Sequence, residues 1–292
     1  MTHFAVAPEL SVRPIRTEDL PGVARFLASN MPSATPVDEW VDAWQAANNL
    51  PSSGAPNHGM MLLAGDEIVG EYAAIYSTRL IAGRRERFCN LAVWCVLPEY
   101  RVGSWRLVRA LLSQPGYHFT DLNPSDVVQK LNLRLGFSYL EARHQIGVNL
   151  PGRRHGVMVS SDPDVIAGSL TGEAATAYRD HAHSKWARHA VVVRGRESCY
   201  VQWRVARIAG RDLLAEIQYV SDPELFRATS RQVSNHLLRS HRMPFIVVEE
   251  RVSGGRVGVT WSRPRPAQKM FKSSTLEAGD IDYLYSEVTA QP

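Results

Sequence analysis

Residues Arg101 to Ser104 form a turn that could bind an anion. They follow Phe88 to Leu97, an apolar run rich in β-branched and aromatic residues and interrupted only by Asn90, which predicts a buried strand ended by Pro98. Beyond the turn, apolar side chains recur at helical spacing: Trp105, Leu107, Val108, Leu111 and Leu112. A helix that starts directly after a strand presents unpaired N–H groups and the positive end of its dipole. The sequence therefore predicts a phosphate site here.

The overall composition is that of a soluble globular protein. The chain has 292 residues, 45% apolar and 21% charged, which is enough for two domains of ordinary size. Its net charge of +4, from 33 basic and 29 acidic residues, is a modest excess that favours anionic ligands. No dense basic block interleaved with aromatic residues is present, so we expect no nucleic-acid partner.

Cysteine usage and the N-terminal sequence predict a cytoplasmic protein. Cys89, Cys95 and Cys199 are odd in number and lack metal-ligand spacing, so we expect reduced, buried thiols. The first ten residues, MTHFAVAPEL, lack the features of a signal peptide and are expected to be a loose leader. No apolar run approaches the roughly 20 residues that a membrane span needs.

Two other groups of reactive side chains do not predict a functional site. His181 and His183 would point to different sides of a helix, and with His189 they do not complete a metal site, so no metal is expected. Cys95 could act as a nucleophile beside a histidine, but a cysteine inside an apolar strand is usually inert packing.

The elements expected in the first half alternate in the order β-α-α-β-β-β-α-β-α-β, which predicts a mixed α/β sheet with helices on both faces. Outside the central strand and helix, the predicted segments are Val12–Ile15, a helix capped by Thr17, Val37–Ala47, a hairpin of Met60–Ala64 and Ile68–Tyr76, Tyr117–Thr120, a helix capped by Ser125, and Phe137–Val148.

Three segments resemble the Gcn5-related N-acetyltransferases, the GNAT superfamily. Val96 to Arg101 resembles the strand end and turn of that family, and Ser125 to Phe137, SDVVQKLNLRLGF, resembles its later helix, which closes on a Gly-Phe pair. Ser11 to Leu20 resembles its first strand and helix start. The resemblance covers roughly residues 10–149 and implies a GNAT-like, acyl-CoA-binding domain over residues 10–150.

The second half repeats the first in outline. Residues 151–190 are expected to be a linker and a helix, with the helix over Val165–Ala190. A hairpin of Cys199–Ile208 and Leu213–Val220, a helix over Pro223–Ser240 and a strand over Phe245–Val252 are expected to follow. Residues 191–292 are therefore predicted to form a second, degenerate GNAT-like domain, as in tandem bacterial acyltransferase-like proteins. The equivalent turn, Ser221–Phe226, has no glycine, and its two carboxylates would repel a pyrophosphate.

The resemblance also implies a set of cofactor-binding residues for acetyl-CoA or another acyl-CoA. Main-chain groups of Trp94 and Val96 would face the pantetheine and thioester, and a contact to CoA would fall at Ser125, where the family often has an asparagine. The pyrophosphate would lie on the N–H groups of six consecutive residues: Arg101, Val102, Gly103, Ser104, Trp105 and Arg106. The glycine pattern departs from the family, since only Gly103 is a glycine. The alternative is a structural turn without a ligand.

The catalytic positions implied by the resemblance are unusual. Where many family members have a glutamate base this chain has Asn90, and where many have a tyrosine acid it has Asn132. Another base such as Glu86 or Glu71, or a water chain, would then be required. Trp40 and Trp44 could line the acceptor pocket or anchor the core. The final segment, Asp280 to Glu287, resembles the tails of such chains and is given no chemical role.

These observations predict an acyltransferase that moves an acetyl or other acyl group from acyl-CoA to an amine or hydroxyl. The resemblance to tandem bacterial proteins implies a small-molecule or glycan acceptor, such as a sugar or an envelope-polysaccharide precursor. The alternative is a catalytically silent GNAT-fold binding or scaffolding module, which Asn90 and Asn132 favour. The sequence does not indicate an oligomeric state.

Overall fold

The computed structural model describes residues 9–31, 35–48, 50, 53–141, 143–152, 156–258, 260–264 and 268–290. The chain divides into two compact units. The first comprises the described residues up to Leu122 together with Lys272–Ser274 and Tyr285–Glu287, and the second comprises Asn123–Phe271, Thr275–Leu284 and the residues from Val288 onward. The sequence prediction drew the boundary near residue 150, so the helix after Ser125 falls in the second unit instead of the first. Most of the expected leader and part of the expected linker, residues 153–155, lie outside the described ranges.

The first unit contains five neighbouring strands in the order β1-β2-β3-β4-β5. They are β1 (Leu10–Pro14), β2 (Gly59–Ala64), β3 (Glu67–Ile81), β4 (Arg84–Val96) and β5 (His118–Asp121). All neighbours are antiparallel except β4 and β5, which run parallel. The long β3–β4 hairpin turns at Ala82-Gly83, where both residues have positive φ angles, 49° and 79°. A glycine at the second turn position suits that geometry.

Helices of the first unit cover the sheet and connect its strands. They are α1 (Leu20–Asn30), α2 (Val37–Asn48) and α3 (Trp105–Leu112), with 3-10 helices over Thr17–Asp19 and Pro98–Gly103. Apolar residues of α1 and α2 form one core cluster with Met61 and Ala73 of the sheet. Trp40 and Trp44 stack at 5.3 Å between ring centroids inside this cluster, so the structure favours their role as core anchors.

The second unit is built around a seven-stranded sheet in the order β13-β7-β12-β11-β10-β9-β8. Its strands are β6 (Ser138–Leu140), β7 (Arg143–Val148), β8 (Met158–Ser160), β9 (Arg188–Arg194), β10 (Glu197–Ile208), β11 (Arg211–Val220), β12 (Phe245–Glu249) and β13 (Thr260–Pro264), and β14 (Lys269–Lys272) pairs with β6. Within the seven-stranded sheet, β11 and β12 are parallel and the other neighbours are antiparallel.

The remaining helices are short. They are α4 (Asp126–Arg134), α5 (Pro163–Ser169), α6 (Gly172–His181), α7 (Pro223–Ala228), α8 (Ser230–His241), α9 (Glu250–Ser253) and α10 (Glu287–Ala290), with a 3-10 helix over Ala278–Asp280. None of the helices in the described ranges is long and apolar enough to cross a bilayer. The core of the second unit includes Trp203, Phe226 and Val248.

The two units repeat one arrangement. In the first, the antiparallel pair β3–β4 is followed by α3 and by β5, which is parallel to β4. In the second, the antiparallel pair β10–β11 is followed by α7 and α8 and by β12, which is parallel to β11. The predicted repeat of hairpin, helix and strand is therefore confirmed.

Several predicted elements differ in extent. The helix expected over residues 165–190 is two helices and a strand, because Leu170 is extended and Gly172 has a φ angle of 59°. The helix expected over 223–240 is broken at Thr229, whose hydroxyl donates to the Leu225 carbonyl at 2.6 Å. The strand expected over 245–252 ends at Glu249 and continues as α9, and the strand expected over 137–148 is the two strands β6 and β7.

Candidate functional site

Strand β4 extends beyond the end of its parallel neighbour β5. The two strands pair from Phe88 opposite His118 to Leu91 opposite Asp121. β4 continues to Val96, so its last five residues have no partner on the β5 side in the described part of the chain. Backbone N–H and C=O groups left without a strand partner need another partner, such as a ligand or water. We call this opening beside residues 92–96 the β4–β5 gap.

A β-bulge lies at the start of the gap. On the side of β3, Tyr72 pairs with Trp94 and Ala74 pairs with Leu91, so Ala92 and Val93 together oppose Ala73. A bulge bends its strand and changes the direction of the local backbone and side chains. It therefore re-aims β4 at the point where β5 ends.

A cavity of about 450 Å³ opens at the end of β4. Its lining comes from the last turn of α1, the end of β4 and the following 3-10 helix: Asn30, Met31, Trp94, Cys95, Val96, Leu97, Pro98, Arg101 and Ser104. Four of the predicted cofactor-binding residues meet here, namely Trp94, Val96, Arg101 and Ser104. In the described ranges, no ion pair neutralises the Arg101 guanidinium. The site therefore combines exposed main-chain groups with a positive charge.

The turn after Pro98 is a 3-10 helix, which changes the predicted set of N–H donors. The Ser104 N–H donates to the Arg101 carbonyl at 3.1 Å, and the Leu107 N–H donates to the Ser104 carbonyl at 3.1 Å. Ser104 is the N-cap of α3, but its hydroxyl makes no capping hydrogen bond. The main-chain N–H of Ser104 is thus engaged, and its side-chain hydroxyl is the group left to face an anion.

The other predicted residues of this turn do not line the cavity. Val102 and Trp105 are 88% and 54% exposed. Gly103 is buried, and a Cβ on it would lie 3.0 Å from Leu10 Cδ1. Arg106 donates from Nη1 to the Leu10 carbonyl at 2.6 Å. Gly103 and Arg106 therefore fasten the turn to the edge of the sheet.

The second unit has a similar gap that is filled. β11 pairs with β12 as far as Ile217 opposite Val248 and then continues, with Gln218 bulged out between the pairs made by its neighbours. The Gln218 side chain donates to the Val288 carbonyl at 2.6 Å, and the remaining cavity is about 10 Å³. At the following turn, the Asp222 carboxylate accepts the Leu225 N–H at 2.9 Å, where an anion would otherwise bind.

Solved structures similar to this chain include a GCN5-related N-acetyltransferase from Anabaena variabilis, which is 11% identical over 90% of this chain and 72% of its own, with a TM-score of 0.59. The chain has the GNAT fold. A GCN5-related glucosamine N-acetyltransferase region of a fungal GH3 β-N-acetylglucosaminidase is 14% identical over 92% of this chain and 38% of its own, with a TM-score of 0.56. N-myristoyltransferase from Saccharomyces cerevisiae, solved with myristoyl-CoA, is 10% identical over 98% and 85%, with a TM-score of 0.50. No protein-family model and no curated protein sequence matches the chain.

Asn90 lies at the inner end of the β4–β5 gap of this GNAT fold, fully buried. The Thr120 hydroxyl donates to its side-chain oxygen at 2.8 Å. Its amide nitrogen in turn donates to the carboxylate of Glu287. Glu287 lies in the final segment, for which the sequence predicted no chemical role. The missing carboxylate at position 90 was a signal that one could come from elsewhere, but nothing in the sequence identified which.

The two substitute bases considered from the sequence are placed differently. Glu86 lies near the start of β4, where its carboxylate is 3.0 Å from His118 Nε2, and Ser273 Oγ is 2.9 Å from His118 Nδ1. It is four residues from Asn90 on the side away from the gap. Glu71 is fully buried on β3 opposite Cys95, and burial raises its pKa well above the usual range. Burial therefore disfavours the ionised form of Glu71 that a base requires.

Ser125 and Asn132 belong to α4 in the second unit. Ser125 is the N-cap, as predicted, and its hydroxyl accepts the Val128 N–H over a long 3.5 Å. Asn132 is buried, and its main-chain carbonyl accepts the Phe137 N–H at 3.0 Å, which closes the turn at Gly136. Their roles toward a cofactor stay predictions.

The cysteines and histidines have structural surroundings. Burial raises the pKa of Cys89 to about 12 and that of Cys199 to about 11. His181 Nδ1 is 2.9 Å from the Ala177 carbonyl, and His189 Nδ1 is 2.8 Å from the Tyr200 hydroxyl. Among the residues that the structure describes, no three His, Cys, Asp or Glu side chains are grouped to hold a metal ion.

Proposed function

We propose that the first unit binds an acyl-CoA and transfers its acyl group to an amine or hydroxyl of an acceptor. The observation that carries this proposal is the β4–β5 gap, which leaves main-chain groups of residues 92–96 without a partner on the β5 side, beside a cavity of about 450 Å³. The GNAT fold supports it, since the similar structures include N-acetyltransferases and an N-myristoyltransferase.

The residues of the site suit the parts of such a substrate. A thioester carbonyl becomes more reactive when main-chain N–H groups polarise it, and residues 92–96 have such groups to offer. A pyrophosphate needs positive charge and hydrogen-bond donors, which the Arg101 guanidinium and the Ser104 hydroxyl supply at the cavity. Together they would hold the thioester along β4 and the phosphates at the turn.

Direct transfer fits the site better than a covalent enzyme intermediate. The thiol nearest the cavity is Cys95, and burial, with the nearby Glu71, raises its pKa. A thiol with a raised pKa is a poor nucleophile at neutral pH. The acceptor would therefore attack the thioester itself, losing a proton, while the departing thiolate gains one.

Acetyl-CoA is the proposed donor, and an amino sugar or related glycan precursor is the proposed acceptor. The likeness to a glucosamine N-acetyltransferase region supports this choice of acceptor. Because the chain is also similar to N-myristoyltransferase, a long-chain acyl-CoA is the alternative donor to compare with acetyl-CoA. In this proposal, the second unit contributes stability and does not bind CoA, because its equivalent gap is filled by Gln218.

We also propose a cytoplasmic location in a bacterial cell. Cys89, Cys95 and Cys199 are present as separate thiols, which suits a reducing compartment. Cell fractionation of the tagged protein tests this point.

Thermal unfolding with CoA, acetyl-CoA and myristoyl-CoA tests the proposal. A ligand at about 100 times its Kd should add about 2.7 kcal/mol to the free energy of unfolding. Arg101→Ala should weaken binding by about tenfold or more, because a charged hydrogen bond to phosphate is lost. Arg85→Ala, at an exposed position near the start of β4, is the matched control and should bind as the wild type does. No shift with any of the three compounds would overturn the proposal.

A catalytically silent binding module is the second candidate. It is favoured by Asn90 and Asn132, which are both buried and cannot exchange a proton at neutral pH. Release of free CoA thiol with glucosamine and simple primary amines as acceptors separates the two functions. Binding of acetyl-CoA without thiol release would support the silent module.

A further inference from the structure

We propose that Glu287 is the general base of this transfer and supplies the carboxylate that position 90 lacks. The inference rests on the function proposed for the first unit. Asn90 and Glu287 both belong to that unit, although 197 residues separate them in the sequence.

The hydrogen bonds around Asn90 fix the direction of its amide. The Thr120 hydroxyl donates to Asn90 Oδ1 at 2.8 Å, so the oxygen of the amide is held toward β5. The Nδ2 group is then the end that donates to the Glu287 carboxylate. Asn90 cannot itself accept a proton at neutral pH, but it positions a group that can. The role of Asn90 is thus to position the carboxylate of Glu287.

The position of this pair along β4 matches the place where a base is needed. Asn90 is the residue before the last β4–β5 pair, Leu91 with Asp121, and the gap begins at Ala92. At a rise of roughly 3.3 Å per residue, Asn90 lies about 7 Å from Ala92 along the strand. A thioester held by the main chain of the gap would then be within reach of the Glu287 carboxylate, directly or through one water.

Glu287 is more exposed than the buried carboxylates Glu71 and Asp121. It is half-buried, so one face can meet an acceptor. Glu71 is fully buried with a raised pKa, and Asp121, at the end of β5, is buried as well. Glu86 is held by His118 on the side of Asn90 away from the gap. Asp121 pairs with Leu91 at the start of the β4–β5 gap, and the experiment below distinguishes it from Glu287.

The proposed step balances as follows. The Glu287 carboxylate accepts one proton from the acceptor ammonium, and the freed nitrogen lone pair forms a C–N bond with the thioester carbonyl carbon. The C–S bond breaks and its electron pair stays on the CoA sulfur. The new amide nitrogen loses its extra proton, which ends on the thiolate, and Glu287 releases its proton to solvent. One ammonium and one thioester thus give one amide, one thiol and one proton.

The decisive variant is Glu287→Gln in the full chain, because glutamine keeps an oxygen that can accept the Asn90 hydrogen bond but cannot take a proton. With acetyl-CoA and glucosamine, we expect kcat to fall about 10²- to 10⁴-fold, the contribution typical of a general base. The acidic limb of the pH profile, which is the fall in kcat/KM as the pH is lowered, should disappear. The Kd for acetyl-CoA should stay within about twofold of the wild-type value. Glu67→Gln, an exposed position of β3 in the same unit, is the matched control and should behave as the wild type.

A reversed pair provides a second, independent readout. In the double variant Asn90→Asp/Glu287→Gln, the amide and the carboxylate exchange places and the hydrogen bond can form again with reversed polarity. We expect its kcat to be at least tenfold higher than that of Glu287→Gln, and the acidic limb of the pH profile to return. Asp121→Asn should leave that limb in place.

Each outcome supports or overturns the inference. Full activity in Glu287→Gln, or loss of the acidic limb in Asp121→Asn alone, overturns it and leaves the proposed function standing. Acetyl-CoA binding by a wild-type protein that acetylates neither glucosamine nor hydroxylamine also overturns it, because there is then no transfer for a base to serve. Absence of acetyl-CoA binding in every variant and in the wild type is instead the failure of the proposed function.

Discussion

Leu91 and Asp121 form the last pair between β4 and β5, and the β4–β5 gap begins with the next residue. Ile217 and Val248 hold the same place in the second unit, between β11 and β12. The same arrangement therefore occurs twice in the chain with different outcomes. Beside the first gap there is a cavity of about 450 Å³, whereas about 10 Å³ remains beside the second, where Gln218 donates to the Val288 carbonyl. The two units therefore share the arrangement of strands and differ in the space beside the gap.

A negative charge at Ser104 tests the phosphate end of the cavity. Ser104→Glu places a carboxylate where the hydroxyl lines the cavity beside Arg101, so it should repel a pyrophosphate and pair with the guanidinium. We expect the Kd for CoA, measured by calorimetry, to rise at least tenfold while the melting temperature changes by only a few degrees. Unchanged affinity would mean that the phosphates bind elsewhere.

Ser113→Glu is the control for that variant. Ser113 is the exposed C-cap of the same helix, so the substitution makes the same change in charge at the opposite end of α3. It should cost about 0.3–1 kcal/mol of stability through the helix dipole and leave CoA affinity unchanged. A loss of affinity in this variant as well would indicate a general effect of charge, not a contact at Ser104.

The sequence predicted the architecture better than the lengths of the elements. The central strand, the turn after Pro98 and the repeat in the second half follow from apolar runs and glycine turns, which are local signals. The helix expected over residues 165–190 was wrong because its break depends on the φ angle of Gly172 and because β9 gains its stability from β10 and β8, which are contacts between distant residues. Strand β14 was missed because four residues, paired over three positions with β6, leave almost no periodicity.

Part of the candidate site was predicted from the sequence, and part was not. The resemblance assigned Trp94, Val96, Arg101 and Ser104 to one cofactor site, and these four residues line one cavity. The resemblance assigned Gly103 and Arg106 to the same cradle, but packing against Leu10 decides their positions. Glu287 could not be found from sequence, since only the folded chain brings it to Asn90.

The core role of Trp44 predicts a large loss of stability on truncation. Trp44 is fully buried and stacked on Trp40, so Trp44→Ala should lower the free energy of unfolding by about 3–5 kcal/mol in a urea titration. Trp105→Ala removes an equal volume from an exposed position and should cost less than about 1 kcal/mol. Similar losses for both variants would contradict this assignment.

Gly59 is predicted to be intolerant of a side chain. Its φ angle is 116°, and a Cβ would lie 2.3 Å from the Tyr72 carbonyl oxygen across the β2–β3 pair. Gly59→Ala should therefore cost about 2 kcal/mol or more, through backbone strain together with displacement of β3. Gly65→Ala, in the turn of the same hairpin, has a φ angle of 62° but no atom within 4 Å of the new Cβ, and should cost about 1 kcal/mol. Chemical denaturation of both variants decides the matter, and equal losses would exclude the clash.

Glu249 makes the second unit sensitive to acid. Burial alone would raise its pKa, but contacts with His144 and Lys269, both at 2.8 Å, and with the Tyr283 hydroxyl lower it to about 2. Because the folded pKa is below the ordinary value near 4.5, the stabilisation is present above pH 4.5 and is lost as the pH falls toward 2. The shift corresponds to on the order of 3 kcal/mol.

Unfolding at a series of pH values from 6 to 2.5 measures this effect. The wild type should lose stability across that range more steeply than Glu249→Gln, which should already be less stable at pH 6 because Lys269 is left buried without its carboxylate. Parallel curves for the two proteins would assign the acid sensitivity to other carboxylates.

Cys95 reports on the cavity through its chemical reactivity. It is half-buried and lines the cavity, whereas Cys89 and Cys199 are buried and have their pKa values raised to about 12 and about 11. Iodoacetamide should therefore modify Cys95 before the other two, although slowly, because burial raises its own pKa as well. Acetyl-CoA at about ten times its Kd should slow that reaction by about tenfold, since the ligand and the reagent compete for one space. Peptide mass spectrometry over a time course gives the three rates separately, with Cys95→Ser identifying the adduct. A Cys95 rate that acetyl-CoA does not change would place the bound cofactor outside this cavity.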